Sequence, residues 1–293
     1  MSTEAPAWYV SQYIDKAVHV YQSKGYRLKG TVSEPVKVQG TQAFFMIAGK
    51  GEAVPLQRGS FGPAMNAART NVAVTMSDWQ ANDWVYETDL EKMTVDENAI
   101  VHQTCGMAMG RRSDLLVMNE LNTVAATLVD GSAGYVNTSA NSPFTLVMAL
   151  SGIAALENAD AFTDDDQVFC GLPPLAWQQF TAYKQVNDAD WVGYDGLPYK
   201  TGVRYKDWNG VKWFRIPNGY TATPAVGYSD FFMWHKNAVG FGTNYDLRST
   251  VTWENLFSGW YHNNRFSAAA KNLLPTGVIR FRYGTASAIP VIN

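Results

Sequence analysis

Between Ala7 and Lys24 apolar and polar residues alternate with the rhythm of an α-helix. Val10, Ile14, Ala17 and Tyr21 fall on one stripe, and Gln12, Asp15, Lys16, His19, Gln22 and Ser23 face away from it. The pattern predicts an amphipathic helix over residues 7–24, closed by Gly25. A helix of this kind must cover a surface, either on its own domain or on a neighbouring subunit. From Val36 to Ser77 the period changes to two. VKVQGTQAFFMIAG runs out and NVAVTMS runs back, with Val72, Val74 and Met76 on one face. The intervening GKGEAVPLQRGSFGPAMNAAR is too long for a tight turn, so a long hairpin with a wide tip is expected. A two-stranded ribbon is marginal alone in water, and this one should lie on something.

DWVYETDLEKMTVDENAIVHQTCGMAMGRRSDLL, residues 83–116, places six carboxylates in its first fifteen residues and two adjacent arginines later. Thr94 and Glu97 stand at capping-box spacing, and no proline follows until well beyond Thr123. A helix over residues 96–122 is predicted, about 40 Å long at 1.5 Å per residue. Asp96 and Glu97 fall in its first turn, where the helix dipole favours negative charge. Ile100, Thr104, Met107, Met118 and Leu121 make its apolar stripe, which Arg111 and Asp114 interrupt. A charge there must be paired or reach water. Arg111 or Arg112 is therefore expected to pair with a carboxylate, either Asp114 or one of the acidic linker before the helix.

FTLVMALSGIAALENADA predicts a second helix over residues 143–158. QVFCGLPPLAWQQFTAYKQV reads as a short strand, a proline turn and a helix over 174–186. GVRYKDWNGVKWFRIP predicts two strands joined at Asn209-Gly210, and DFFMWHKNAVGFG one strand around 230–241. VTWENLFSGWYHNNRF and NLLPTGVIRFRYGTA supply the last strands. Without internal repeats or low complexity, the class is α+β with one dominant helix.

Charge alters this picture. The 293 residues carry 23 Lys plus Arg against 26 Asp plus Glu, so no basic field exists to grip nucleic acid. Charged residues make up 17%, below the roughly 25% of an average soluble domain. Aromatics reach 13%, with 10 Trp and 15 Tyr. Such a chain has difficulty covering its own surface, so much of that surface is expected to be buried against partners. Cys105 and Cys170 lie far apart without a CxxC, which excludes a disulfide scaffold and a cysteine-built zinc site. The start MSTEAPAWYV has no basic or apolar signal-peptide region, and no stretch approaches ~20 apolar residues. A reducing cytosol is the expected setting.

Candidate chemistry is sparse. Asp83, Glu87, Asp89, Glu91, Asp96 and Glu97 could in principle hold a divalent cation, but a solvated linker and helix start already account for them. NDADWVGYDG resembles a calcium loop, with Val192 at a ligand position and no glutamate at the twelfth; an exposed turn is expected. Asp164, Asp165 and Asp166 read as a solvated loop. His19, His102, His235 and His262 are scattered without HExxH spacing, and His235 reads as a strand or interface residue. No G-x-S-x-G, Walker A or G-x-G-x-x-G occurs, and Cys105 has no evident base. The aromatics of residues 191–261 suit a packed β core or a subunit interface, with sugar or base stacking as the alternative.

Taken in order, the amino-terminal helix, the long hairpin, the acidic linker and the helix with GRRSDLL resemble the first half of a tailed-bacteriophage major capsid protein of the Hong Kong 97 type. VFCGLPPLAWQQFTAYK, FFMWHKNAVGFG and LPTGVIRFRYG resemble the strands and helix of its second half. The resemblance covers residues 8–284. It implies a Hong Kong 97-like capsid fold divided into an N-arm (1–30), an E-loop (31–78) and a P-domain with a long spine helix (79–141). An A-domain (142–245) and P-domain return strands with the C-terminus (246–293) would follow. The implied function is structural and not enzymatic: a coat subunit without cofactor or metal that self-assembles as hexamers and pentamers into an icosahedral shell. That shell would enclose double-stranded DNA without sequence specificity, away from membranes, in a virion assembled in the host cytoplasm. A portal, a separate scaffolding protein and decoration proteins are implied partners, because no long charged helical segment precedes the arm. Lys50, Glu52, Arg58, Arg69, Arg111, Arg112 and Asp114 are the candidate structural and inter-subunit residues. The Lys–Asn–Glu set of cross-linking relatives has no identifiable counterpart. An aromatic-rich glycan-binding adhesin and an encapsulin-like cargo shell are the alternatives.

Overall fold

The computed structural model describes residues 24–33, 36–38, 40–55, 58–59, 61, 64–90, 96–124, 127–128, 143–162, 167–187, 205–223 and 226–289. The helix expected over residues 7–24 lies outside the described residues except for Lys24, as do residues 164–166 and 188–196. The elements are β1 (Val36–Lys37), β2 (Gln42–Ala48), β3 (Arg69–Thr75), β4 (Ser77–Tyr86), α1 (Glu87–Leu90), α2 (Glu97–Thr123), β5 (Thr127–Leu128) and α3 (Leu146–Asn158). There follow β6 (Val168–Leu172), α4 (Pro174–Thr181), α5 (Lys184–Asn187), β7 (Tyr205–Trp208), β8 (Val211–Arg215), β9 (Tyr228–His235), β10 (Val239–Glu254), β11 (Gly259–Asn272) and β12 (Val278–Gly284).

The strands form three sheets. One has six strands in the order β5-β12-β9-β6-β8-β7, one has four in the order β1-β10-β11-β4, and β2-β3 is the separate ribbon read from the sequence. The central strands β6 and β9 of the six-stranded sheet are covered on both faces, which is why they are near-continuous buried runs and not alternations. In β9, Phe231 and Met233 join Phe144, Met148, Trp177, Phe180 and Phe281 in the core beneath α3 and α4. Phe232 and Trp234, from the alternate positions, join Met109, Val117 and Leu121 of α2 and Phe241 and Phe266 of the four-stranded sheet. α2 lies across β4 and β11.

Two expected elements are confirmed by their turn chemistry. Asn209 and Gly210 both have positive φ (50° and 73°), the mirror-image turn that matches strand twist, so β7 and β8 are a tight hairpin. α3 begins where the Thr145 side chain accepts a hydrogen bond from Met148 N at 3.3 Å.

Other expectations change. α2 is capped by Asp96, whose carboxylate accepts from Ala99 N at 3.3 Å, and Thr94 lies outside the described residues. Its buried face runs through Val101, Cys105, Met109, Asp114, Val117 and Leu121, leaving Thr104 exposed. The helix expected over 174–186 breaks after Thr181, where Tyr183 N turns back to Phe180 O at 3.4 Å in a tighter turn, and resumes as α5. The strand expected over 230–241 is two strands, because the His235 ring nitrogen accepts from Asn237 N and starts a helical turn over Lys236–Ala238. Asp83 lies in β4 opposite His262, and not in a linker. β12 pairs with β9 in the six-stranded sheet, where Val278, Ile279 and Phe281 need cover on both faces.

Candidate functional site

The seven candidate residues fall into two separate groups. Lys50, Glu52, Arg58 and Arg69 are exposed on the β2–β3 ribbon and its tip. Lys50 pairs with Asp160 just beyond α3, and the ammonium holds that carboxyl below the usual aspartate range. Both partners stand in solvent, so the attachment of the tip is weak.

Arg111, Arg112 and Asp114 lie midway along α2, far from that tip in the sequence of contacts. Asp114 is fully buried, and its Oδ1 accepts the amides of Arg27 at 2.9 Å and Leu28 at 3.1 Å. Burial raises its pKa, which those two amides, Arg27 and the Tyr220 hydroxyl partly offset. Asp114 thereby fastens the segment at Arg27 and Leu28 onto α2. The crossing is close: a Cβ on Gly110 would sit 2.3 Å from Lys24 O, so only glycine fits. Arg112 lays its guanidinium 3.4 Å from the centre of the Trp79 ring, in place of the expected carboxylate. Asp114 thus answers to backbone amides and Arg112 to an aromatic ring.

The acidic ladder does not converge. Among the described residues no group of three or more His, Cys, Asp or Glu side chains is placed to hold a metal ion. His262 is buried under the first turn of α2, with Nε2 and Asn98 Oδ1 2.9 Å apart. Burial and the neighbouring His102 lower its pKa, while Asp83 raises it. Cys170 is wholly buried, which pushes its thiol well up and removes thiolate chemistry.

Sequence reasoning missed the buried pair of Asp230 and Arg282, joined through two hydrogen bonds of 2.8 and 2.9 Å. Arg280 caps the last carbonyls of α2, donating to Asn122 O at 2.6 Å, and lies 3.9 Å from the same Asp230. Glu120 holds Lys271 at 2.9 Å from the four-stranded sheet. The C-terminal end of α2 therefore links both sheets. The x-Arg-x-Arg alternation of β12 was the available signal, but its acidic partner is 52 residues away.

Large apolar side chains remain in water at two places. Phe44 (60%), Met46 (86%), Val54, Phe61 and Met65 stand out along the ribbon, and Val251, Trp253, Leu256 (84%), Phe257 and Trp260 crowd the β10–β11 hairpin end. Patches of this kind mark interaction surfaces.

A family model of phage capsid proteins matches residues 5–284. The chain belongs to this phage capsid protein family. No curated protein matches the sequence. The fold is similar to a structure of Mycobacterium phage Che8, with a TM-score of 0.71 and 13% identity over 95% of this chain and 98% of the other. It is likewise similar to the capsid of Ralstonia phage GP4, with a TM-score of 0.68 and 12% identity over 97% and 98%. A virus-like particle from Pyrococcus furiosus shares it more distantly, with a TM-score of 0.55 and 10% identity over 88% and 92%. The fold is the Hong Kong 97-like capsid fold, and the chain is a major capsid protein. Its role is structural, in the capsid of a virion.

Proposed function

We propose that this capsid protein closes into an icosahedral shell of hexamers and pentamers around double-stranded DNA, in the host cytoplasm, with a separate scaffold, a portal and decoration proteins as partners. The observation that carries this reading is the ribbon. Among the described residues β2 and β3 pair only with each other; Ala43 and Val74 pack the ribbon's base against Val38 and Ala269, while Phe44 and Met46 lie bare and an exposed ion pair tethers the tip. A structure of this kind is completed by another subunit. The ribbon serves as the E-loop, α2 as the spine helix, and the six-stranded sheet with α3 and α4 as the A-domain. Lys50, Glu52, Arg58 and Arg69 then supply polar contacts at the rim of the ribbon's interface.

DNA is enclosed without sequence readout. A net charge of -3 cannot offset packaged phosphates, so an external motor drives filling. Deleting residues 50–65 leaves a folded subunit that fails to form closed particles under the electron microscope. Normal particles from that deletion, or tight specific binding of duplex DNA by the subunit at physiological salt, contradict the proposal.

A further inference from the structure

β10 presents a bare edge. β1 covers it only at Gly242 and Thr243, and among the described residues no strand pairs with its outer half on that side. Irregularities between Thr243 and Arg248 twist the inner part of the edge, which discourages pairing there. From Arg248 to Glu254 the register is regular, and all seven residues are exposed. Neither proline nor lysine, the usual guards of an open edge, occurs in this run.

The run reads Arg248-Ser249-Thr250-Val251-Thr252-Trp253-Glu254, and it is complementary to itself. Set antiparallel to a second copy about Val251, it brings Arg248 opposite the second copy's glutamate and Thr250 opposite its Thr252. The two Val251 side chains then meet at the axis. The Arg–Glu and Thr–Thr sets are favourable cross-strand pairs, and Ser249 falls opposite the second copy's Trp253. Within one chain the same charges are badly placed. Arg248 stands directly across from Arg265, and Glu254 across from Gly259. Neither Arg248 nor Glu254 has an ion-pair partner among the described residues. A second copy supplies both partners at once.

We infer that residues 248–254 form a two-fold, edge-to-edge β contact between two copies of this chain, merging their four-stranded sheets into one. The inference rests on the shell reading and names one of its contacts. Antiparallel pairing in one plane places the two-fold axis normal to the sheet. Both α2 helices therefore stay on the same face, and the pair keeps one inner and one outer side, as a shell requires. Apolar Trp253 and Trp260, 5.2 Å apart on one face, flank the new seam.

Substitution Val251→Cys tests the contact in assembled particles. Opposed residues in an antiparallel pair have Cα atoms about 4.5–5.5 Å apart, within disulfide reach. The native cysteines are both buried. Oxidised V251C particles should run on a denaturing non-reducing gel mainly at about twice 32.4 kDa, and Lys212→Cys particles should not. Arg248→Glu and Glu254→Arg should each lower particle yield about tenfold, and the double variant R248E/E254R should restore it. Wild-type shells that form while V251C gives only monomer bands overturn the inference and leave the shell reading intact. So does a Val251→Pro variant that blocks assembly without the V251C dimer, since another strand then occupies the edge. Failure of wild-type chains to form particles under any condition contradicts the shell reading itself.

Discussion

Trp213 and Trp253 belong to the two halves of the molecule and have opposite surroundings. Trp213 is fully buried in the six-stranded sheet, stacked 4.6 Å from Phe180 and near Phe144 and Trp208. Trp253 stands 37% exposed on the outer arm of β10, with Trp260 as its ring neighbour. The six-stranded half, cored on both faces, is finished within one chain. The four-stranded half with its ribbon is packed at its base and bare at its ends. The same residue type thus stabilises the fold in one half and waits for assembly in the other, and composition alone does not distinguish them.

The largest effects that sharpen this contrast fall in the finished half. Trp213→Ala should cost about 3–5 kcal/mol in urea unfolding of the subunit. Trp253→Ala should leave subunit stability within about 1 kcal/mol and reduce particle yield instead. Equal destabilisation by the two would break the comparison. Asp230→Ala removes the fully buried carboxylate that holds Arg282 and should cost about 3 kcal/mol, measured the same way.

Intermediate effects belong to α2, where the halves join. Asp114→Ala leaves two buried amides unsatisfied and should cost about 1–3 kcal/mol, with faster proteolysis of the segment before Leu28. Asp114→Asn keeps an acceptor oxygen and should cost less. Arg112→Ala removes the stacking on Trp79 and should cost about 1 kcal/mol in thermal melting.

The smallest effect is a pH dependence. His262 has a folded pKa below its ordinary value, so the unfolded chain binds the proton more readily. Stability is complete above the ordinary histidine range and is lost as pH falls from there toward the lowered folded value. Melting between pH 7 and 5 should show this slope, and His262→Asn should flatten it. A slope unchanged by the substitution would place the acid sensitivity elsewhere.

What the sequence revealed depended on how local the cause was. The ribbon, the Asn209-Gly210 turn and the long helix were legible, because each rests on periodicity or on residues within a few positions. Asp114 was recognised as a charge needing an answer, but its answer is the backbone of Arg27 and Leu28, some 86 residues away. The start of α2 was legible to within a residue, and its cap is Asp96. β12 was read as a strand, but its pairing with β9 was not legible, since an apolar strand carries no label for its sheet. The carboxylate ladder was read as a solvated linker and helix start, but Asp83 lies in β4 as a cross-strand neighbour of His262.

The mass of the purified protein, by light scattering with and without the proposed scaffold, tests the central claim most directly. If the bare half of each subunit is completed by other copies, chains of 32.4 kDa collect into closed particles of megadalton mass. Monomers that persist at high concentration under both conditions would contradict it.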